Sequence, residues 1–437
     1  MAPSTAPTGR DDSLTSGPMR RILASSFIGS AIEFYDFMLY ATAAAVVFSE
    51  VFFTDLSPAI ATFASFGTLA AGYVARPVGG AIFGHFGDRI GRKGVLVTSM
   101  VTMGIATTII GLLPTTAQVG TVAPVLLIVL RMLQGLAVGG EWGGAMLIAL
   151  EHAPGGKRGF AASFANLGAP AGSMLAAGAV AAATLLPDEQ FFAWGWRIPF
   201  LLSVVLVSIG LVIRLKVAES PLFQRFEAEA QRRRIPIVDV LTRHPRNLVL
   251  GILVAMSQLT VSGIASVWAV SYAVQQGAEK TGVLNSKTLA AVAMFVMCLV
   301  SARLCDRFGR KPILTAGIVA AMLFAFPLLL LVQSGTVVGF TVAVTVGQGI
   351  QGVILGPLAA FLAELFPTAV RFTGSSLCFQ AASTIGAGFT PMIASALVAA
   401  TGGIALLGGV WIAALLVCLL AVLAAAEGRR RDLAAIE

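Results

Sequence analysis

Apolar segments of about twenty residues follow one another through almost the whole chain, and about twelve can be counted. A helix of that length crosses the ~30 Å hydrocarbon core of a bilayer. Only 11% of the 437 residues are charged and the mean hydropathy is +0.89, whereas a soluble protein carries roughly 25% charged residues. The apolar runs are unbroken, which excludes the alternating pattern of a transmembrane barrel. The sequence therefore predicts an all-α membrane protein with about twelve transmembrane helices.

The positions of Lys and Arg predict how the chain is oriented. Basic clusters occupy every second connection, which the positive-inside rule assigns to the cytoplasm; Lys280 and Lys287 are the exceptions. This pattern predicts an even number of spans, cytoplasmic termini and an integral plasma membrane protein, of the bacterial inner-membrane kind. The net charge of +8 comes from these clusters, so we expect a lipid bilayer as partner and no nucleic acid.

The distribution of polar residues divides the chain into five parts. Residues 1–20 are rich in Ser, Thr, Pro and Gly and contain no apolar signal segment, which predicts a disordered cytoplasmic tail. The longest polar stretch separates the spans into two sets of six. We predict a six-helix bundle at 21–215, a cytoplasmic linker at 216–246, a second six-helix bundle at 247–427 and a cytoplasmic tail at 428–437.

Two motifs occur once in each half. Gly84–Lys93 matches Ala302–Lys311, and the Glu-x6-Arg spacing of Glu151 and Arg158 returns in Glu364 and Arg371. This repetition indicates an internal duplication, giving two pseudo-symmetric six-helix bundles that could alternate access to a site between them.

The repeated motifs also predict a cytoplasmic gate. Their carboxylates and basic side chains can bind helix ends and one another, and so close that side of the protein. A simple topology signal is the alternative. The predicted gate residues are Asp88, Arg89, Arg92, Glu151, Arg158, Asp306, Arg307, Arg310, Glu364 and Arg371.

Two carboxylates stand inside the first apolar segment. Glu33, Asp36 and Tyr40 fall at i, i+3 and i+7, on one helix face. A charge at mid-bilayer costs at least about 2.5–3.5 kcal/mol, so such residues usually face a cavity or a partner. Arg76 and Arg131, on the second and fourth spans, are the candidate partners, and Glu141 is the other ionisable residue that we place at depth.

We expect Asp36 to carry a proton, because a carboxyl can lose and regain one whereas arginine stays charged. Arg131 would modulate it, Glu33 would share in the coupling or form a structural pair, and Arg76 would bind a substrate anion. Permanent Asp36–Arg131 and Glu33–Arg76 pairs are the alternative. The predicted substrate-binding residues, each of which could instead join two helices, are Arg76, Tyr40, Arg131, Gln134, Glu141, Trp142, Gln258, Trp268, Tyr272, Gln348 and Gln380.

Several motifs resemble the major facilitator superfamily from about residue 22 to 431. Gly84-x3-Asp88-Arg89-x-Gly91-Arg92-Lys93 resembles its loop motif, and Arg131-x2-Gln134-Gly135-x3-Gly139 its fourth-helix motif. Arg76-Pro77-Val78-Gly79-Gly80 and Gly139-Gly140-Glu141-Trp142 are similar to the metabolite:proton symporter branch. The resemblance implies proton-coupled uptake of a small organic acid or zwitterion, such as shikimate, oxoglutarate, citrate, proline or betaine. The sugar-porter branch shares Glu219-Ser220-Pro221 and is the nearest alternative.

Other functional classes find no support in the residues. The sequence shows no His/Asp/Glu metal cluster, no Ser/His pair, no extended soluble domain and no GxxxxGK[ST] phosphate loop. We therefore expect no enzyme activity, no metal and no cofactor, with the proton as coupling ion and a monomer as the working unit. A sugar-type symporter, an uncoupled facilitator and a membrane sensor stay open as alternatives.

Overall fold

The structure, a computed structural model, describes residues 17–215 and 236–428. Helices make up almost all of the described residues, and they contain no strand. In the first half they are α1 Gly17–Val46, α2 Phe48–Phe52, α3 Pro58–Ile90, α4 Arg92–Leu112, α5 Thr116–Val119, α6 Val122–Val138, α7 Glu141–His152, α8 Arg158–Ala183, α9 Asp188–Gln190 and α10 Arg197–Leu215.

The second half repeats the pattern after a short helix, α11. Its helices are α11 Pro236–Arg243, α12 Pro245–Ser262, α13 Ala269–Gln275, α14 Lys280–Phe308, α15 Arg310–Gln333, α16 Val337–Glu364, α17 Arg371–Ser383, α18 Thr390–Thr401 and α19 Ala405–Ala424. Two wider, π-helical segments, Gly263–Trp268 and Thr384–Phe389, join α12 to α13 and α17 to α18.

The described residues contain eleven helices that are long and apolar enough to cross a membrane. The 33-residue helix α3 runs beside α6 as a further long segment, which gives six in each half. The outer surface exposes large apolar side chains such as Leu112, Leu323 and Val338, because lipid solvates them as well as a protein core does. The predicted fold class, an all-α membrane protein of about twelve spans, is confirmed.

The duplicated loop motif folds into the same tight turn in both halves. Gly91 separates α3 from α4 with φ 108°, and Gly309 separates α14 from α15 with φ 107°. A residue with a β-carbon rarely adopts this conformation, so glycine is required there. We call the side of the molecule with these two turns the turn end, and the side with the α1–α3 and α13–α14 connections the opposite end.

The helices that carry the two deep arginines, α3 with Arg76 and α6 with Arg131, touch along a line of glycines. A β-carbon on Gly135 would collide with the carbonyl oxygen of Gly72, and one on Gly139 with the backbone at Gly80. Small residues of this kind let membrane helices approach until their backbones meet. The contact brings Arg76 and Arg131 into one cluster.

Substitution of Gly135 by alanine should destabilise the protein by roughly 1–3 kcal/mol, because the added methyl group has no space. Gly178→Ala is the matched control, since Gly178 lies in the interior of α8 with nothing within 4 Å of a β-carbon. Alanine at this position favours the helix by about 0.5–1 kcal/mol relative to glycine, so we expect no loss of stability in the control. Melting temperatures of the two purified variants in one detergent measure the difference, and equal values would contradict the glycine contact.

Candidate functional site

The Asp36 carboxylate is buried in the first half and held by two hydroxyl groups. Ser203 Oγ of α10 donates to Oδ1 at 2.6 Å, and Thr107 Oγ1 of α4 donates to Oδ2 at 3.0 Å. Asp36 is 1% exposed. Hydrogen bonds from two donors satisfy an ionised carboxylate where no water reaches it.

A chain of side chains leads from Asp36 to Arg131. Gln134 Nε2 donates to Thr107 Oγ1 at 2.5 Å, and Arg131 Nη1 donates to Gln134 Oε1 at 3.1 Å. The predicted partners Asp36 and Arg131 are therefore joined through Thr107 and Gln134, and no direct ion pair between them occurs in the described structure. We call Asp36, Thr107, Gln134 and Arg131 the relay.

Both deep arginines stack on Phe37 of α1. The guanidinium carbon of Arg76 lies 4.3 Å from the Phe37 ring centroid, and that of Arg131 lies 4.7 Å from it. Arg131 also lies 4.1 Å from the Tyr40 ring. Its Nε and Nη2 atoms find no hydrogen-bond partner among the described residues. Stacking on aromatic faces stabilises a guanidinium where water is absent.

The remaining buried charges of the first half lie nearer the turn end. Glu141 forms an ion pair with Arg214 of α10 at 2.5 Å. Arg214 was not among the residues that the sequence predicted for the site. Glu33 interacts electrostatically with three charged groups, Arg76, Arg214 and Glu141. Arg76 donates to Ser383 of the second half at 3.3 Å instead of forming an ion pair with Glu33 in the described residues.

A cavity lies between the two halves, and we call it the central cavity. It offers about 60 Å³ to water and is bounded by α1 and α8 on one side and by α12, α14, α16 and the first π segment on the other. Most polar side chains around it are hydroxyls and amides. Its polar lining comprises Thr42, Ser173, Ser262, Ser266, Lys287, Thr288, Gln348 and Gln351.

Only part of the predicted substrate-binding set reaches this cavity. Gln348 lines it and donates to Ser266 at 2.8 Å. Gln258 stands one layer behind, where it accepts from Gln351 at 3.0 Å. Trp268 and Tyr272 stack on each other with 4.6 Å between ring centroids.

Three more predicted substrate residues join helices elsewhere. Trp142 stacks on Phe379 of the second half at 3.9 Å, and Gln380 donates to the carbonyls of Val138 and Gly139 at 3.4 Å. The Tyr40 hydroxyl donates to Thr68 at 2.7 Å. In this conformation these side chains hold the halves or the first bundle together.

At the turn end, each half places an aspartate on the start of a helix in the other half. Asp306 accepts from the amides of Gly159 and Phe160, at 2.9 and 2.8 Å. Asp88 accepts from the amide and hydroxyl of Thr373, at 3.0 and 2.7 Å. These helix starts, those of α8 and α17, carry partial positive charge that favours a carboxylate. We call the two contacts the reciprocal aspartate contacts.

Other predicted gate residues surround these contacts. Arg371 pairs with Glu151 across the halves at 3.6 Å. Arg310 pairs with Glu364 at 2.9 Å, and Arg158 attracts the same carboxylate electrostatically. Arg307 stacks on the neighbouring Phe308 ring at 5.2 Å. The side chains of Arg89 and Arg92 lie outside the described part of the structure.

Sequence reasoning missed several residues of the site. Thr107 and Ser203 carried no signal, because hydroxyl residues are common in membrane helices. Arg214 sits one residue before the end of its span, where basic residues usually mark only the interface. Lys287 was assigned to a connection because the apolar run starts after it, whereas α14 already begins at Lys280. No group of three His, Cys, Asp or Glu that could hold a metal occurs in the described residues.

Comparison with known proteins agrees with this architecture. The chain is 44% identical over 384 residues to the inner membrane metabolite transport protein YhjE of Escherichia coli, covering 86% of this chain and 87% of that protein. It is 38% identical to the shikimate transporter of the same organism, covering 87% and 88%. It is 33% identical to the proline/betaine transporter of Salmonella typhimurium, covering 87% and 78%.

Solved structures show the same fold at lower identity. A double tryptophan mutant of XylE superposes with a TM-score of 0.77 at 18% identity, covering 94% of this chain and 97% of that one. The XylE proton:xylose symporter bound to a bromodeoxyglucose gives 0.74 at 19% identity, covering 93% and 94%. The family model described as Major Facilitator Superfamily matches residues 26–379. The chain therefore belongs to the major facilitator superfamily of membrane transporters.

Proposed function

We propose that this transporter takes up a small organic acid or zwitterion together with a proton, by alternating access. The relay that links Asp36 to Arg131 is the observation that carries the proposal, because it couples a carboxyl that can bind a proton to a buried cation. The relatives include proteins named for shikimate and for proline and betaine, which are substrates of the proposed class. We further propose a plasma membrane location with both termini in the cytoplasm.

The Thr107 hydroxyl allows the relay to exist in two protonation states. Its single hydrogen has two acceptors at 3.0 Å, Asp36 Oδ2 and the carbonyl of Met103. When Asp36 is ionised, the hydroxyl donates to it. When Asp36 binds a proton, its own O–H can donate to Thr107, whose hydrogen then turns to Met103. Asp36 and Thr107 each keep a hydrogen-bond partner in both states, so the proton can come and go without orphaning either group.

Alternating access requires one side to be closed while the other opens. The reciprocal aspartate contacts and the Arg371–Glu151 pair join the two halves at the turn end. We propose that they form the cytoplasmic gate and that the structure has this gate shut. Opening it would transfer four carboxylate hydrogen bonds to water, which solvates these groups well enough to make the change reversible.

We propose different roles for the binding residues that the sequence predicted. Gln348 lines the central cavity and is proposed to contact substrate there. Arg131 and Arg76 lie behind α1 and act through the relay and through Ser383. A sugar-type symporter and an uncoupled facilitator are the alternatives within transport, and a membrane sensor is the alternative outside it.

Replacing Asp36 with Asn should abolish proton-driven accumulation while leaving substrate exchange, because the amide cannot bind and release a proton. Proteoliposomes can be tested with labelled shikimate, proline and glycine betaine, first by counterflow and then under an inward proton gradient. We expect at least a tenfold loss of accumulation with counterflow within threefold of wild type. The exposed Asp55→Asn serves as control. Accumulation that survives in Asp36→Asn would refute the proton role, and no counterflow with any substrate in wild type would favour a sensor.

Thr107→Val should uncouple transport although Asp36 is intact, because the relay loses its middle hydroxyl. Thr108→Val is the matched control, since Thr108 donates only to the carbonyl of Gly104 in its own helix. The ratio of substrate accumulated to proton gradient applied is expected to fall in Thr107→Val alone. Equal ratios in both variants would show that coupling does not pass through the relay.

Asp88→Asn should favour the state that is open at the turn end. Cys305 reports this opening, because it is fully buried and lies against Gly159 of the other half. In a background with the other three cysteines replaced by Ala, we expect several-fold faster Cys305 labelling by a maleimide. The exposed Asp188→Asn at the opposite end is the control. A labelling rate equal to wild type would contradict the gate.

A further inference from the structure

Lys287 lies inside the membrane-spanning part of α14. It stands seven residues after the start of α14 at Lys280, which is about 10 Å along the helix at 1.5 Å per residue. The span that contains it runs from Thr281 to Phe308. Its side chain lines the central cavity between the two halves.

No protein group compensates the charge of Lys287. Among residues 17–215 and 236–428 it forms no hydrogen bond or ion pair. The other polar residues around the central cavity are hydroxyl or amide groups such as Ser262, Ser266 and Thr288, and no carboxylate is among them. Hydroxyl and amide groups can hydrogen-bond a ligand but cannot neutralise a cation.

The buried charges of the first half do not supply the missing anion. Three carboxylates, Glu33, Asp36 and Glu141, accompany three guanidinium groups, Arg76, Arg131 and Arg214. Those six charges sum to zero, and they lie on α1 or behind it as seen from the central cavity. Lys287 therefore adds one positive charge to the central cavity, and the cost of keeping that side chain ionised there would be offset by a bound anion.

We propose that Lys287 is the anion-binding residue of the central cavity and that it selects a hydroxylated monocarboxylate over a zwitterion. The carboxylate would pair with Lys287, and the ligand hydroxyls would bind the surrounding hydroxyls and amides, including Gln348. A zwitterion would bring its own cation into a cavity without a carboxylate, and a dianion would leave one charge unpaired. This inference rests on the proposed function and narrows its substrate class.

Binding to the purified full-length protein in detergent tests the site. Calorimetry with shikimate, quinate, gluconate and lactate, and with glycine betaine and proline, compares wild type with Lys287→Gln and Lys287→Arg. We expect a monocarboxylate to bind wild type, to bind Lys287→Gln at least tenfold more weakly, and to bind Lys287→Arg within about threefold. The exposed Lys157→Gln is the control. The methyl ester of the bound acid should bind wild type at least tenfold more weakly, which tests the charge without any mutation.

The melting temperature without ligand separates a binding role from a structural one. Removing an unpaired, half-buried charge should leave Lys287→Gln as stable as wild type or more stable. A lower melting temperature, equal affinity of the acid for wild type and Lys287→Gln, or binding of zwitterions alone would overturn the proposal. Proton-driven accumulation in proteoliposomes is a separate readout. A wild type that accumulates proline or betaine with protons, yet binds no monocarboxylate, would refute the Lys287 site while leaving the proposed symport intact.

Discussion

The cost of charge in hydrocarbon governs how this molecule is built. Six ionisable side chains of the first half are buried together, and most of them contact a charge of opposite sign, an aromatic face or a hydroxyl. Neutral links such as Gln134 and Thr107 let an acid and a base influence each other without forming a permanent ion pair. A direct pair would be harder to separate in a medium of low dielectric constant. The neutral links therefore suit the proposed role of Asp36 as proton carrier.

The two halves share the same turn and differ in the chemistry of their interiors. Both turns place an aspartate on the first amides of a helix in the opposite half, so the contact at the turn end is symmetric. The membrane interior is not symmetric. The relay belongs to the first half, whereas Lys287 and the glutamines Gln348 and Gln351 come from the second. The relay thus lies behind the α1 wall of the central cavity, whereas Lys287 and the two glutamines line the facing wall.

Much of this arrangement could be predicted from the sequence, because burial of Glu33 and Asp36 follows from the apolar residues around them and the turns follow from a repeated motif. The partners of Asp36 could not be predicted in this way. Thr107 and Ser203 meet it only after three helices pack, and a hydroxyl residue in a membrane helix usually bonds its own backbone. The role of Lys287 could not be predicted either, because its sequence neighbours are mostly polar. Residues 280–288 look like a connection, yet tertiary packing extends α14 through them, as it often overrides propensity.

The glycine contact between α3 and α6 has a mechanical consequence. Helices whose backbones touch cannot slide past each other without lifting apart, so Arg76 and Arg131 must travel as one rigid body. Displacement between the halves would fall instead on the α8–α14 and α3–α17 surfaces, which join them. Within the first bundle, the two arginines therefore keep a fixed separation for as long as α3 and α6 keep their backbone contact.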